Sequence, residues 1–64
     1  MSNQQSNTLD LLVNAKVVVY TGHYSYCVII SEICQTNIKA IEFGTGQART
    51  FNLADVDYIE YILP

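Results

Sequence analysis

Lys16-Val17-Val18-Val19-Tyr20-Thr21-Gly22-His23-Tyr24-Ser25-Tyr26-Cys27-Val28-Ile29-Ile30-Ser31-Glu32-Ile33 decides the fold of this chain. Most of its residues are β-branched or aromatic, and such side chains fit a pleated, half-buried surface better than a helix. The one punctuation mark is Thr21-Gly22-His23, where Gly22 can take a positive φ at no steric cost and turn the chain back. The stretch therefore predicts a first strand over Ala15–Tyr20, a tight turn, and a long second strand over Tyr24–Ile33. Ser25, Ser31 and Glu32 mark places where that second strand can bend or bulge.

Working outward, Cys34-Gln35-Thr36 turns the chain into a third strand, Asn37–Phe43. Gly44-Thr45-Gly46-Gln47 then reads as a hairpin loop leading to a fourth strand, Ala48–Phe51. No lysine follows the two glycines and strands flank them, so a phosphate-binding loop is not indicated. Asn52-Leu53-Ala54-Asp55 predicts a single helical turn capped by Asn52. Val56–Leu63 supplies the last strand before Pro64. Towards the N-terminus, Leu9, Leu12 and Val13 follow helical spacing. Thr8–Asn14 thus predicts a short amphipathic helix, too short to stand alone in water and so docked across an open end. Residues 1–7 are polar and predict a disordered tail, and residues 8–64 one domain. The expected class is all-β with a short N-terminal helix: a small barrel of five strands.

Size and charge constrain what such a domain does. A chain of 64 residues buries only about 60% of the surface it exposes when unfolded, so its stability calls for a supplement such as self-association. Only 14% of its residues are charged, against about 25% in an ordinary soluble domain. The third strand carries apolar groups on both faces, Ile38 and Ala40 against Ile41 and Phe43, and the last sets Tyr58 and Ile62 against Ile59 and Tyr61. One small barrel has one interior, so the surplus face predicts cover by the N-terminal helix or by another copy. Edge strands with free backbone groups point the same way. A homo-oligomer is expected, with Phe51, Tyr58, Ile59, Tyr61 and Ile62 at its interface.

Three cations, Lys16, Lys39 and Arg49, stand against six carboxylates, giving a net charge of −3. Since affinity for nucleic acid rests largely on lysine and arginine, a monomer of this composition is a poor general binder, although a ring of copies can gather its cations into a patch. Cys27 and Cys34 form no metal-ligand set with the lone His23, and inside strand-like runs they read as small buried hydrophobes rather than a disulfide or a reactive thiol. One histidine and scattered carboxylates assemble no nucleophile and base at a known spacing, so no enzyme, cofactor or metal is expected. No N-terminal apolar segment resembles a signal peptide and no stretch approaches the roughly 20 residues that span a bilayer. The expectation is a cytoplasmic protein without a membrane partner.

The order of a short helix, five strands, a long bent second strand and a single turn before the fifth resembles the Sm-like variant of the SH3-like barrel. Lys16-Val17-Val18-Val19-Tyr20-Thr21-Gly22 is similar to that family's first strand and glycine turn. Asn37-Ile38, fifteen residues after Gly22, stands where the first Sm motif has an asparagine. Phe51-Asn52-Leu53-Ala54-Asp55-Val56-Asp57-Tyr58-Ile59 is similar to the stretch from the fourth strand to the fifth. The resemblance spans Leu11 to Ile62, about four-fifths of the chain. It departs from the family at Ile59-Glu60-Tyr61, where the second motif has Ile-Arg-Gly, and at Ile33, where the first has an acidic residue.

The resemblance implies a ring in which the fourth strand of one copy pairs with the fifth of the next, and RNA or another oligonucleotide as ligand. Asn37 is then a base contact in the pore, its alternative role being a turn residue ahead of a strand. His23, Tyr24 and Tyr26 are candidates for stacking unpaired bases, their alternative being one face of the barrel with hydroxyls at its rim. Arg49 is either a phosphate contact or the partner of Glu42 across the hairpin. The acidic balance and the lost arginine favour a second function on the same barrel: an acidic adaptor or inhibitor that binds a protein through the Tyr58–Leu63 edge or an aromatic patch.

Overall fold

The computed structural model describes residues 11–63. They form β1 (Lys16–Thr21), β2 (Tyr24–Ile33), β3 (Asn37–Glu42), β4 (Ala48–Asn52), a 3-10 turn (Leu53–Asp55) and β5 (Tyr58–Tyr61). All five strands are antiparallel to their neighbours and lie in one sheet, in the order β4-β3-β2-β1-β5. The all-β class is thus as expected. The predicted tail over 1–7 and the start of the predicted helix over Thr8–Asn14 lie outside the described residues, and the described remainder of that helix, Leu11–Asn14, is not α-helical. Within them, Leu11 and Leu12 have 3-10 geometry. The Leu12 carbonyl then accepts the Ala15 N–H, and Asn14 takes a φ of 71° as the chain enters β1.

Each turn follows from its residues. Thr21 pairs with Tyr24, so Gly22-His23 is a two-residue hairpin loop. Gly22 alone has positive φ, 60°, as the first central position of a II′ turn requires. The β2–β3 register slips between Ile30 and Glu32. Ser31 is the extra residue there, and its hydroxyl donates to the Lys39 carbonyl at 3.0 Å. This bulge bends β2 and strengthens its twist, and it lets Val28, Ile30 and then Ile33 turn inward despite their uneven spacing. Asn52 caps the 3-10 turn by accepting the Ala54 N–H on Oδ1 at 3.1 Å. Asn52 was expected as that cap.

The core is Val17 and Val19 from β1, Val28 and Ile30 from β2, Ile38 and Ala40 from β3, and Phe51 from β4. These residues all belong to one face, and Leu12, Ala15, Leu53, Val56 and Ile59 pack against them from the ends and edges. One sheet covers its own inner face because it curls. Each fully buried Val or Ile contributes roughly 1.5–3 kcal/mol relative to exposure.

The outer face keeps the surplus: Ile41 and Phe43 remain more than a third exposed, opposite Ile38 and Ala40 as predicted. The cysteines depart from expectation. Both are free thiols, but Cys27 is exposed and Cys34 half-buried beyond the end of β2. Cys27 pairs with Val18, and both alternate with the inward Val17, Val19 and Val28. Position parity, which a run apolar on both faces conceals, sends the thiol outward.

The hydrogen-bond parity of the sheet decides what its edges offer. The Ile30 N–H donates to the Ala15 carbonyl, the Glu42 N–H to that of Gln47, the Leu53 N–H to that of Thr36, and the Ile62 N–H to that of Lys16. Antiparallel ladders alternate strictly between bonded and non-bonded pairs. Extending these bonds along the observed registers, Arg49 and Phe51 turn their backbone groups to β3, while Ala48, Thr50 and Asn52 aim theirs at the open edge. On β5, Tyr58 and Glu60 bond β1, leaving Ile59 and Tyr61 to face outward.

Candidate functional site: a crevice beside the open edge of β4

Tyr24, Tyr26 and Arg49 share the inner side of the sheet, and the structure gathers them near the mouth of the core. The Tyr24 and Tyr26 rings lie 6.5 Å apart at 38°. Tyr26 meets Phe51 edge-on, with centroids 5.2 Å apart. The Arg49 guanidinium sits 4.9 Å above the Tyr26 ring, a distance at which the ring's quadrupole attracts a cation. Between Tyr26 and Thr21 on one side and Arg49, Phe51, Asn52 and Asp55 on the other lies an open crevice of ≈ 330 Å³. One wall of it is the edge of β4, unpaired among the described residues.

Arg49 realises the expected cross-hairpin pair, donating from Nε to Glu42 Oε2 at 2.8 Å. Glu42 also accepts the Thr45 hydroxyl on Oε1 at 2.8 Å. The Thr45 hydrogen bond first, and the Arg49 one next, hold the Glu42 carboxyl below its ordinary pKa. One guanidinium thus touches a carboxylate and a tyrosine while keeping its Nη donors for other acceptors. Lys39 stands 3.9 Å from Glu32, with both side chains more than half exposed. Among the described residues, Lys16 is the cation without a carboxylate partner of this kind.

The remaining candidates sit apart. His23 is exposed in the β1–β2 turn beside Tyr24, itself 68% exposed. Asn37 opens β3 opposite Asn52 and alternates with the inward Ile38, so it lies on the other side of the sheet from Tyr26 and Arg49. Its Nδ2 donates to Thr36 Oγ1 at 3.3 Å, and its buried Oδ1 has no partner among the described residues. Of the expected interface residues, Phe51 is 7% exposed and belongs to the core. Ile59 also packs against the core. Tyr58, Tyr61 and Ile62 are exposed.

A second cluster escapes the sequence. Tyr20 and Tyr58 face each other across β1 and β5 and stack with centroids 4.4 Å apart at 17°. The Tyr20 hydroxyl donates to Glu60 Oε1 at 2.9 Å. That bond, with desolvation and the negative charge of Glu60, pushes the Tyr20 pKa up to about 12. Asp57 Oδ2 accepts the Gly22 N–H at 2.8 Å. Sequence alternation places Tyr58 and Glu60 on one side of β5, but only the β1–β5 register puts Tyr20 within their reach.

Among the described residues no three His, Cys, Asp or Glu side chains come together to hold a metal ion, and no helix is long and apolar enough to cross a membrane. Compared with protein families, curated proteins and solved structures, the chain finds no match in any of the three.

Proposed function

We propose that this chain is a non-enzymatic interaction module, a small barrel of the Sm-like or SH3-like kind that self-assembles by strand addition and docks a protein partner. The supporting observation is the pair of open edges. Ala48, Thr50 and Asn52 offer backbone groups on β4, Ile59 and Tyr61 offer them on β5, and Tyr58, Tyr61 and Leu63 are each at least half exposed along the β5 side. Unpaired edges flanked by apolar side chains are templates for another strand. Joining β4 of one copy to β5 of the next satisfies both edges and covers surface that 14% charged residues leave greasy.

A protein partner is favoured over RNA by the charges. Two of the three cations stand beside carboxylates, which weakens their pull on phosphate. An oligonucleotide is the second reading, supported by the exposed Tyr24 beside His23 and by Arg49 over Tyr26. Sedimentation measures the assembly: several multiples of 7.2 kDa are expected at micromolar concentration, and a stable monomer there overturns it. Titration with short U-rich and A-rich RNAs at two salt concentrations separates the ligands. Salt-sensitive micromolar binding that Asn37→Ala or Tyr24→Ala abolishes replaces the protein reading with the RNA one.

A further inference from the structure

We infer that the contact between copies takes one register, with Arg49 of one copy opposite Glu60 of the next and Phe51 opposite Tyr58. This rests on the strand addition proposed above and fixes its geometry. The outward backbone groups belong to Ala48, Thr50 and Asn52 on β4, whose side chains point away from the core. On β5 they belong to Ile59 and Tyr61, whose side chains point towards it, opposite Val19 and Val17. Directly opposed residues send their side chains to the same side of a sheet. A joint made through these groups therefore continues the inner side of one copy into the outer side of the next. Arg49 and Phe51, at the crevice, come to share a side with Tyr58, Glu60 and Ile62 of the neighbouring copy.

A slip of one residue breaks that match of bonding groups, so allowed registers differ by two. With antiparallel strands, as everywhere else in this sheet, pairing Thr50 with Ile59 and Ala48 with Tyr61 sets Arg49 against Glu60 and Phe51 against Tyr58. Moving two residues one way puts Arg49 against Ile62 and drives the Glu60 carboxylate onto Phe51. Moving two the other way sets Arg49 against Tyr58 and pushes Glu60 past the end of β4. Only the first register pairs opposite charges and aromatic with aromatic. Both charges have capacity to spare: Arg49 uses Nε on Glu42, and Glu60 uses Oε1 on Tyr20. The Nη fork and Oε2 remain for each other.

Two experiments decide it. In a Cys27→Ser/Cys34→Ser background, Arg49→Cys is combined in turn with Tyr58→Cys, Glu60→Cys or Ile62→Cys. Positions 49 and 60 form a non-bonded pair, whose Cα atoms lie about 4.5 Å apart, within disulfide reach. A ladder of oxidised oligomers is expected from the 49/60 pair alone. A ladder from 49/58 or 49/62 overturns the register while leaving strand addition intact. Glu60→Lys supplies the second test without touching the contacts of Arg49. It sets like charges face to face and should weaken assembly about tenfold per contact, with far-ultraviolet dichroism unchanged. Mixing it with Arg49→Glu, in which each variant carries the complement of the other, should restore assembly. Wild-type assembly by Glu60→Lys overturns the register. A wild-type protein that never leaves the monomer overturns the strand-addition reading instead.

Discussion

Tyr20 shows how much one hydroxyl reports about its surroundings. Its bond to Glu60, helped by desolvation and the nearby negative charge, favours the protonated phenol and raises its pKa to about 12 from the usual 10.0. A raised folded-state pKa means stabilisation that is fully present below the unfolded value and lost as the pH climbs through the folded one. On the alkaline side the Tyr20–Glu60 bond is therefore intact up to about pH 10 and fails between 10 and 12. Glu60→Gln removes the charge and should bring the Tyr20 transition down towards 10, seen as phenolate absorbance near 295 nm appearing earlier in an alkaline titration than in the wild type. Coincident titration curves for the two proteins would show that Glu60 does not hold Tyr20. Neither residue advertises this role in the sequence, because the pairing spans forty positions and depends on a register that no local pattern encodes.

At the scale of the strand, what was legible is what local chemistry dictates. Val, Ile and Tyr mark β1, β2, β3 and β5, the glycine loop and Phe51 mark β4, Gly22 the hairpin, Asn52 the capped turn, and Ile38 and Ala40 against Ile41 and Phe43 the two sides of β3. The fifth strand is shorter than the apolar run from Val56 to Leu63, since Val56 closes the 3-10 turn and Asp57 turns its carboxylate to Gly22. The candidate site was legible only piecewise. Arg49 with Glu42 follows from hairpin spacing, whereas the contact of Tyr26 with Phe51 and Arg49 requires the bend at Ser31, and Asn37 parts from them because parity puts it on the other side. Parity also sets a prediction for β4. The Thr50 N–H points away from β3, so Thr50→Pro removes no bond of the ladder, and proline is tolerated on such an edge. The variant should keep its β-type dichroism yet sediment as a monomer, whereas Phe51→Pro, which deletes a ladder bond inside the core, should unfold. Normal oligomers from Thr50→Pro would exclude the β4 edge from the contact.

At the scale of the molecule, seven buried residues among those described make the core, and a chain this short rarely draws more than about 3–5 kcal/mol from a single core. Its exposed apolar side chains lie mainly along β5 and on the outer face, so covering them is the largest stabilisation still available to it. Assembly acts on the folded form only, and each tenfold rise in free subunit above the dissociation constant then adds about 1.4 kcal/mol. In a domain of this size that amounts to roughly 6–11 °C in Tm. Wild-type Tm should therefore climb with protein concentration across the micromolar range, while Thr50→Pro melts at a temperature independent of it and Glu60→Lys begins its climb only at higher concentration. Scanning calorimetry at several concentrations makes the measurement. A wild-type Tm that stays constant over a hundredfold range would mean that the curled sheet holds its own core, and that its open edges serve a different strand from its own.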